Sequence, residues 1–207
     1  MPLGQRKFNV HMEHSIKVNG LKIRYLRKGG GQAFALLHGM SFCAETWVEM
    51  GLFDELAKDY SVYSFDMPYG TKSRSEKFDT SNRDEYAEFL KELLKSLGMD
   101  EPVLLGASIS GEVTLRYLSK GYAAKAAIVA GPVGIRSLVP RLGMITIPLL
   151  AMWGEKDNIS PPENAELLTA HAKNAEAHII KNAGHACYLD RPDEFRSLVR
   201  DFLGKTD

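Results

Sequence analysis

Short, nearly continuous apolar runs separated by segments of helical period constrain this chain more than any other feature. The runs are Ala33–Leu37, Val62–Phe65, Val103–Leu105, Ala126–Ala130 and Ile147–Trp153, with a weaker one at Ala177–Ile180. Between them the spacing predicts helices near 44–58, 83–97, 110–120, 162–173 and 192–203. In the second of these, Tyr86, Phe89, Leu90, Leu93 and Leu94 share one face. Strands that are apolar on both sides must be covered on both sides, so the alternation implies a parallel sheet between two helical layers. Ahead of it, His14–Val18 and Leu21–Leu26 flank Asn19-Gly20. Asn-Gly supplies the positive φ angles of a two-residue turn, so this segment reads as an antiparallel hairpin at the sheet edge. The expectation is a mixed α/β sandwich forming a single domain over 1–207, with its site at the strands' carboxyl ends.

Bulk properties exclude some function classes. A hydrophobic share of 44% and a charged share of 25% are those of an ordinary globular chain. Lys+Arg and Asp+Glu are equal at 26 each, so nothing suggests nucleic acid as a partner. The opening MPLGQRKFNV has no apolar run behind its charges, and no stretch approaches the ~20 apolar residues of a membrane span. A cytoplasmic protein with no membrane partner is therefore expected. Cys43 and Cys187 lack zinc or redox spacing and read as reduced thiols. Cys187 is expected to be partly exposed near the site. The six histidines form no HExxH motif, so no metal site is expected, and no phosphate-binding glycine motif points to a cofactor.

The chemistry lies at strand ends. Val103-Leu104-Leu105-Gly106-Ala107-Ser108-Ile109-Ser110-Gly111 runs from strand to helix through small residues, as a nucleophile elbow requires. The residues two positions either side of the nucleophile must be small. Around Ser108 these are Gly106 and Ser110, whereas around Ser110 they would be Ser108 and the larger Glu112. Ser108 is therefore the candidate nucleophile. Asp157 follows the run Ile147–Trp153, and His185 follows the next strand in Asn182-Ala183-Gly184-His185. The order Ser, Asp, His is the one such a sheet uses. His185 is the expected general base, and Asp157 the group that orients it, with Glu155 a rival acid. His38-Gly39-Met40 ends the first parallel strand. There the Met40 amide, paired with that of Ile109, is the candidate oxyanion hole, and the His38 side chain is not required.

These residues resemble the α/β-hydrolase superfamily over nearly the whole chain. Leu36-Leu37-His38-Gly39 with Glu45-Thr46-Trp47 is similar to its oxyanion loop and following helix. Phe65-Asp66-Met67-Pro68 resembles its D-x-P-G-x-G-x-S turn, ending at Ser73, with Tyr69-Gly70-Thr71 where that turn has a glycine at each end. Closer still is the alpha/beta-hydrolase-domain-containing 14 family. Three passages carry that likeness: His38-Gly39-Met40-Ser41-Phe42 with Glu45-Thr46-Trp47, the Ser108-Ile109-Ser110-Gly111 elbow, and Gly184-His185-Ala186-Cys187-Tyr188-Leu189-Asp190. The family's elbow shows the same serine at the position of Ser110. The resemblance implies a serine hydrolase acting on small acyl groups.

Ser108 and Asp157 are too close in the chain to admit a cap domain. One helix, two strands and the connection Gly131 to Met144, with a helical turn or two around Ile135–Leu142, fill the interval. A shallow, open site is expected, suited to short acyl esters of small molecules or to accessible acyl groups on larger ones. Gly131-Pro132-Val133-Gly134, Met40, Phe42, Ile109 and Met144 are candidates for its wall, with Phe42, Pro132 and Met144 assigned to substrate binding. The competing expectation is an interaction protein on a hydrolase fold, since fold alone does not dictate activity.

Overall fold

A computed structural model describes residues 12–206 of the chain, and the MPLGQRKFNV segment lies outside them. Strands β1 (Met12–Val18) and β2 (Leu21–Lys28) form the expected hairpin, paired from Val18↔Leu21 to Met12↔Arg27. Asn19 (φ 49°) and Gly20 (φ 85°) both take the positive φ that matches a tight turn to the strand twist. The parallel strands are β3 (Ala33–Leu37), β4 (Ser61–Phe65), β5 (Val103–Ala107), β6 (Ala126–Ala130), β7 (Leu149–Gly154) and β8 (Ala175–Ile180). The eight strands make one sheet in the order β1-β2-β4-β3-β5-β6-β7-β8. β2 joins it antiparallel to β4, while β3 to β8 run parallel.

The helices are α1 (Glu45–Glu49), α2 (Leu52–Leu56), α3 (Arg83–Ser96), α4 (Ile109–Ser119), α5 (Ile135–Leu142), α6 (Asn164–His171), α7 (Cys187–Asp190) and α8 (Pro192–Leu203). Alternation along each strand feeds two cores. Ala35 and Leu37 of β3 pack with the α3 stripe, Val113 and Leu115 of α4, and Leu138 of α5. Phe34 and Leu36 pack on the opposite face with Trp47 of α1, Phe53 of α2, and Phe195 and Val199 of α8. All five stripe residues of α3 are buried, and Asn82 caps that helix by accepting the Asp84 N–H at 3.1 Å.

The strand order also fixes where a site forms. From β3 the chain crosses to β4 on one side, then returns to β5 on the other. Right-handed crossovers in opposite directions place α1 and α2 on one face and α3 on the other. In sheets of this kind that reversal marks the carboxyl ends of the two strands, here β3 and β5, as the place for a site. Among the described residues only α5 lies between β6 and β7, so that connection holds no cap domain.

Two elements differ from expectation. The helix expected over 44–58 is broken at Gly51 (φ 81°), which takes a left-handed conformation between α1 and α2. A Cβ at Gly51 would lie 2.5 Å from Arg196 Nη1, which donates to the Met50 carbonyl at 2.8 Å. The single turn α7 is additional.

Candidate active site

The elbow is built by close approach of strand and helix. A Cβ on Gly106 would lie 2.6 Å from Thr114 Oγ1 of α4, so glycine is required there. Ser108 sits between β5 and α4 at φ 55°, ψ −116°, a conformation that L-residues adopt only under constraint. Its backbone is held on both sides. The Ser108 N–H donates to the Ala130 carbonyl at 2.8 Å, and its carbonyl accepts the Glu112 N–H at 3.1 Å to begin the helix. The hydroxyl projects clear of both.

Ser108 Oγ lies 2.8 Å from His185 Nε2, and His185 Nδ1 lies 2.8 Å from Asp157 Oδ2. A carboxylate can only accept, so the ring carries its proton on Nδ1 and presents Nε2 as an acceptor to the serine hydroxyl. The other carboxylate oxygen of Asp157 accepts the N–H groups of Ile159 (2.9 Å) and Ser160 (2.8 Å). Asp157's side chain is inaccessible to solvent, and that of His185 is 19% exposed. Glu155 is turned elsewhere and accepts the Asn182 N–H at 3.0 Å. The His185 loop is fixed by Lys156 N–H on the Ala183 carbonyl (2.8 Å) and by Gly184 N–H on Asp190 (2.7 Å).

Two more residues hold the acid and base, Gly131, which was expected only as pocket wall, and Ser160. Gly131 (φ 51°) follows β6, and a Cβ on it would sit 3.1 Å from both Asp157 Oδ2 and His185 Nδ1. Ser160 Oγ donates to the Pro132 carbonyl at 2.6 Å and accepts Trp153 Nε1–H at 3.1 Å, which ties the Asp157 loop to the end of β6. Gly131 was legible from its place just beyond β6, whereas no local signal marks Ser160.

The loop after β3 faces the elbow. A Cβ on Gly39 would lie 3.4 Å from Ser108 Cβ. Met40 is 41% exposed, whereas the Ile109 side chain is buried in the core, which leaves only the Ile109 backbone for a role at the elbow. Neither the Met40 nor the Ile109 amide donates a hydrogen bond among the described residues. Phe42 is half-buried, edge-on to Tyr188 at 6.0 Å. Pro132 is buried beside Gly111, where an added Cβ would approach Pro132 Cβ to 3.0 Å.

Met144 stands apart. It is exposed beside Leu118, Tyr122 and Ala124 at a cavity of about 200 Å³, because α5 carries the chain back to the strands' amino ends before β7 begins. Cys187 is fully buried in the core instead of partly exposed. Burial, aided by the nearby Asp157 charge, pushes its thiol up to about 12, so it carries no thiolate at neutral pH. Cys43, Glu45 and Asp66 approach one another closely, with ligand atoms within 4.8 Å. The Arg24 guanidinium already pairs with Glu45 (2.6 Å) and Asp66 (2.8 Å), so the cluster is an ion-pair network.

Comparison with known proteins places the chain. Residues 32–139 match the family model of the alpha/beta hydrolase fold. The chain is 37% identical to Protein ABHD14A of Danio rerio over 83% of its own length and 64% of that protein, so it spans slightly less than two thirds of this relative. It is 31% identical to the putative protein-lysine deacylase ABHD14B of Pongo abelii, over 92% of this chain and 94% of that one. A CIB-like hydrolase from Thermoplasma acidophilum superposes with a TM-score of 0.87 at 27% identity, covering 94% of this chain and 98% of its own. The chain therefore belongs to the α/β-hydrolase family, and within it to the ABHD14 group.

Proposed function

We propose that the chain is a serine hydrolase that releases small acyl groups, carboxylic esters foremost, through a covalent acyl-enzyme on Ser108. The observation that carries this reading is the hydrogen-bond path from Ser108 Oγ through His185 to the buried Asp157, at 2.8 Å for each link. In this mechanism Ser108 Oγ attacks the substrate carbonyl carbon as its proton passes to His185 Nε2. Asp157 holds the ring and stabilises the imidazolium without taking the proton. The carbonyl oxygen becomes an oxyanion facing the Met40 and Ile109 amides, of which one such donor is typically worth about 10²–10³ in kcat. Collapse expels the alcohol, which takes the proton from His185. Water then attacks the acyl-serine with His185 again as base, releasing the acid and restoring the hydroxyl.

The lack of a cap domain between β6 and β7 among the described residues supports substrates whose acyl group is small or projects from a larger body. The name of the Pongo abelii relative suggests acylated lysine side chains, which form the same acyl-serine and differ in the amine that leaves. Among the described residues no helix is long and apolar enough to cross a membrane. The free thiols at Cys43 and Cys187 support a reducing, cytoplasmic setting. The test is p-nitrophenol release from acetate, butyrate and octanoate esters by wild type and Ser108→Ala. Preference for the short chain, with at least about 10⁴-fold loss in the variant, is expected. Equal turnover in both proteins would sink the Ser108 assignment, and turnover in neither would leave the interaction-protein reading ahead.

A further inference from the structure

The acyl-enzyme reading requires two amides aimed at one point, and the inference here rests on that reading. The Met40 N–H belongs to the Gly39–Met40 peptide. A trans peptide is planar, so whatever fixes its carbonyl also fixes its N–H, pointing the opposite way. The Gly39 carbonyl is held twice, at 2.8 Å from His38 Nδ1 and at 3.1 Å from the Phe42 N–H. The carbonyl before it, that of His38, accepts a hydrogen bond from Ser110 Oγ. The carbonyl after it, that of Met40, accepts the Thr71 N–H at 2.7 Å. Three consecutive carbonyls of this loop are thus anchored.

Chemistry settles the direction of each bond. A carbonyl only accepts, so the Ser110 hydroxyl donates to His38, and Tyr69 must then be the donor in the 2.6 Å contact between Tyr69 Oη and Ser110 Oγ. Burial raises the pKa of Tyr69 and so preserves its phenolic proton. His38 Nε2 accepts the Met67 N–H at 2.9 Å, which leaves the ring proton on Nδ1, and Nδ1–H donates to the Gly39 carbonyl. Burial also lowers the pKa of His38 and favours this neutral ring.

We propose that Ser110 is a positioning residue of the oxyanion hole. Its hydroxyl, in the first turn of α4 one residue from Ile109, is a strut to the His38 carbonyl two residues before Met40. It thereby sets the spacing and orientation of the two amides. Tyr69, packed edge-on against Tyr86 at 4.8 Å, holds the strut from behind. A glycine at position 110 has no atom with which to make this connection.

The test compares a matched oxoester and thionoester on wild type, Ser110→Ala, Tyr69→Phe and Ser108→Ala. Rates are normalised to sites titrated with a fluorophosphonate, except in Ser108→Ala, where they are per protein. A hole fitted to oxygen discriminates against the longer, weaker-accepting C–S bond. A misplaced donor is expected to lower kcat on the oxoester by about 10- to 100-fold in Ser110→Ala with little change in KM. The oxoester-to-thionoester ratio should fall with it, and Tyr69→Phe should show the same pattern at smaller amplitude. A purely structural serine would lower the titratable fraction or the Tm and leave the ratio per site untouched. That result, or a change confined to KM, overturns the proposal while loss of activity in Ser108→Ala keeps the acyl-enzyme reading. Retained turnover in Ser108→Ala overturns both. Tyr69→Phe, which keeps the buried ring, decides the matter if Ser110→Ala does not fold.

Discussion

Replacing Gly131 by alanine tests how closely the His185–Asp157 pair is packed. The residue has φ 51°, and an added Cβ would lie 3.1 Å from Asp157 Oδ2, 3.1 Å from His185 Nδ1 and 3.2 Å from His185 Cε1. Two costs follow. The left-handed backbone conformation costs an alanine about 1–2 kcal/mol, which for a chain of this length lowers Tm by about 2–8 °C. The contacts are too short for carbon against nitrogen and oxygen, so the imidazole must shift by a few tenths of an ångström. That shift lengthens or bends the 2.8 Å link to Ser108. Since about 1 Å of misplacement costs on the order of 10²-fold, kcat is expected to fall about 10-fold. Gly121 provides the control. It has φ 79°, and nothing lies within 4 Å of its would-be Cβ, so Gly121→Ala carries the backbone cost alone. Thermal unfolding and kcat per titrated site, on the best p-nitrophenyl ester, separate the two effects. The reasoning is refuted if Gly131→Ala keeps kcat within about twofold of wild type, or if Gly121→Ala loses activity equally.

Asp157→Asn should reduce kcat by about 10³–10⁴-fold by disturbing the His185 tautomer, while Glu155→Gln stays within about twofold, as steady-state assays of both will show. Cys187 should resist iodoacetamide at pH 8 in the native protein and react on unfolding, read by mass spectrometry, because its thiol is pushed up to about 12. Glu45 is opposed by burial, but the Arg24 guanidinium wins and holds it down at about 2 against an ordinary 4.5. The folded protein therefore binds this proton more weakly than the unfolded chain does. The stability Glu45 contributes is complete above about pH 4.5 and is lost as pH falls toward about 2. Tm measured across that window should flatten in Glu45→Gln.

The sheet was legible because burial on both faces forces continuous apolar runs. Ala33–Leu37 and Ala126–Ala130 coincide with β3 and β6 as expected. β5 runs two residues beyond Val103–Leu105 because Gly106 and Ala107 pair with Val129 and Ala130, a long-range fact without a local signature. Gly51 was visible as a glycine, but the Arg196 side chain that leaves no room for a Cβ there comes from far along the chain. Ser108, Asp157 and His185 could be read from their order at strand ends, whereas Met144 was misplaced because chain proximity to α5 says nothing about which end of the sheet that helix reaches. The Arg24 network draws on residues 13, 45, 66 and 74, and no spacing rule gathers those. The His38 side chain was not required by the motif, and which loop atoms its ring bonds, the Gly39 carbonyl and the Met67 amide, is a tertiary fact no motif carries.

The most direct test of the central claim is to trap the covalent intermediate. Protein mixed with p-nitrophenyl acetate is quenched in acid within the first turnovers, digested and sequenced by mass spectrometry. The mechanism predicts one acetyl group on the peptide containing Ser108, attached at that hydroxyl and absent from Ser108→Ala. Turnover without an adduct, or an acetyl group on another residue that persists in Ser108→Ala, would contradict it.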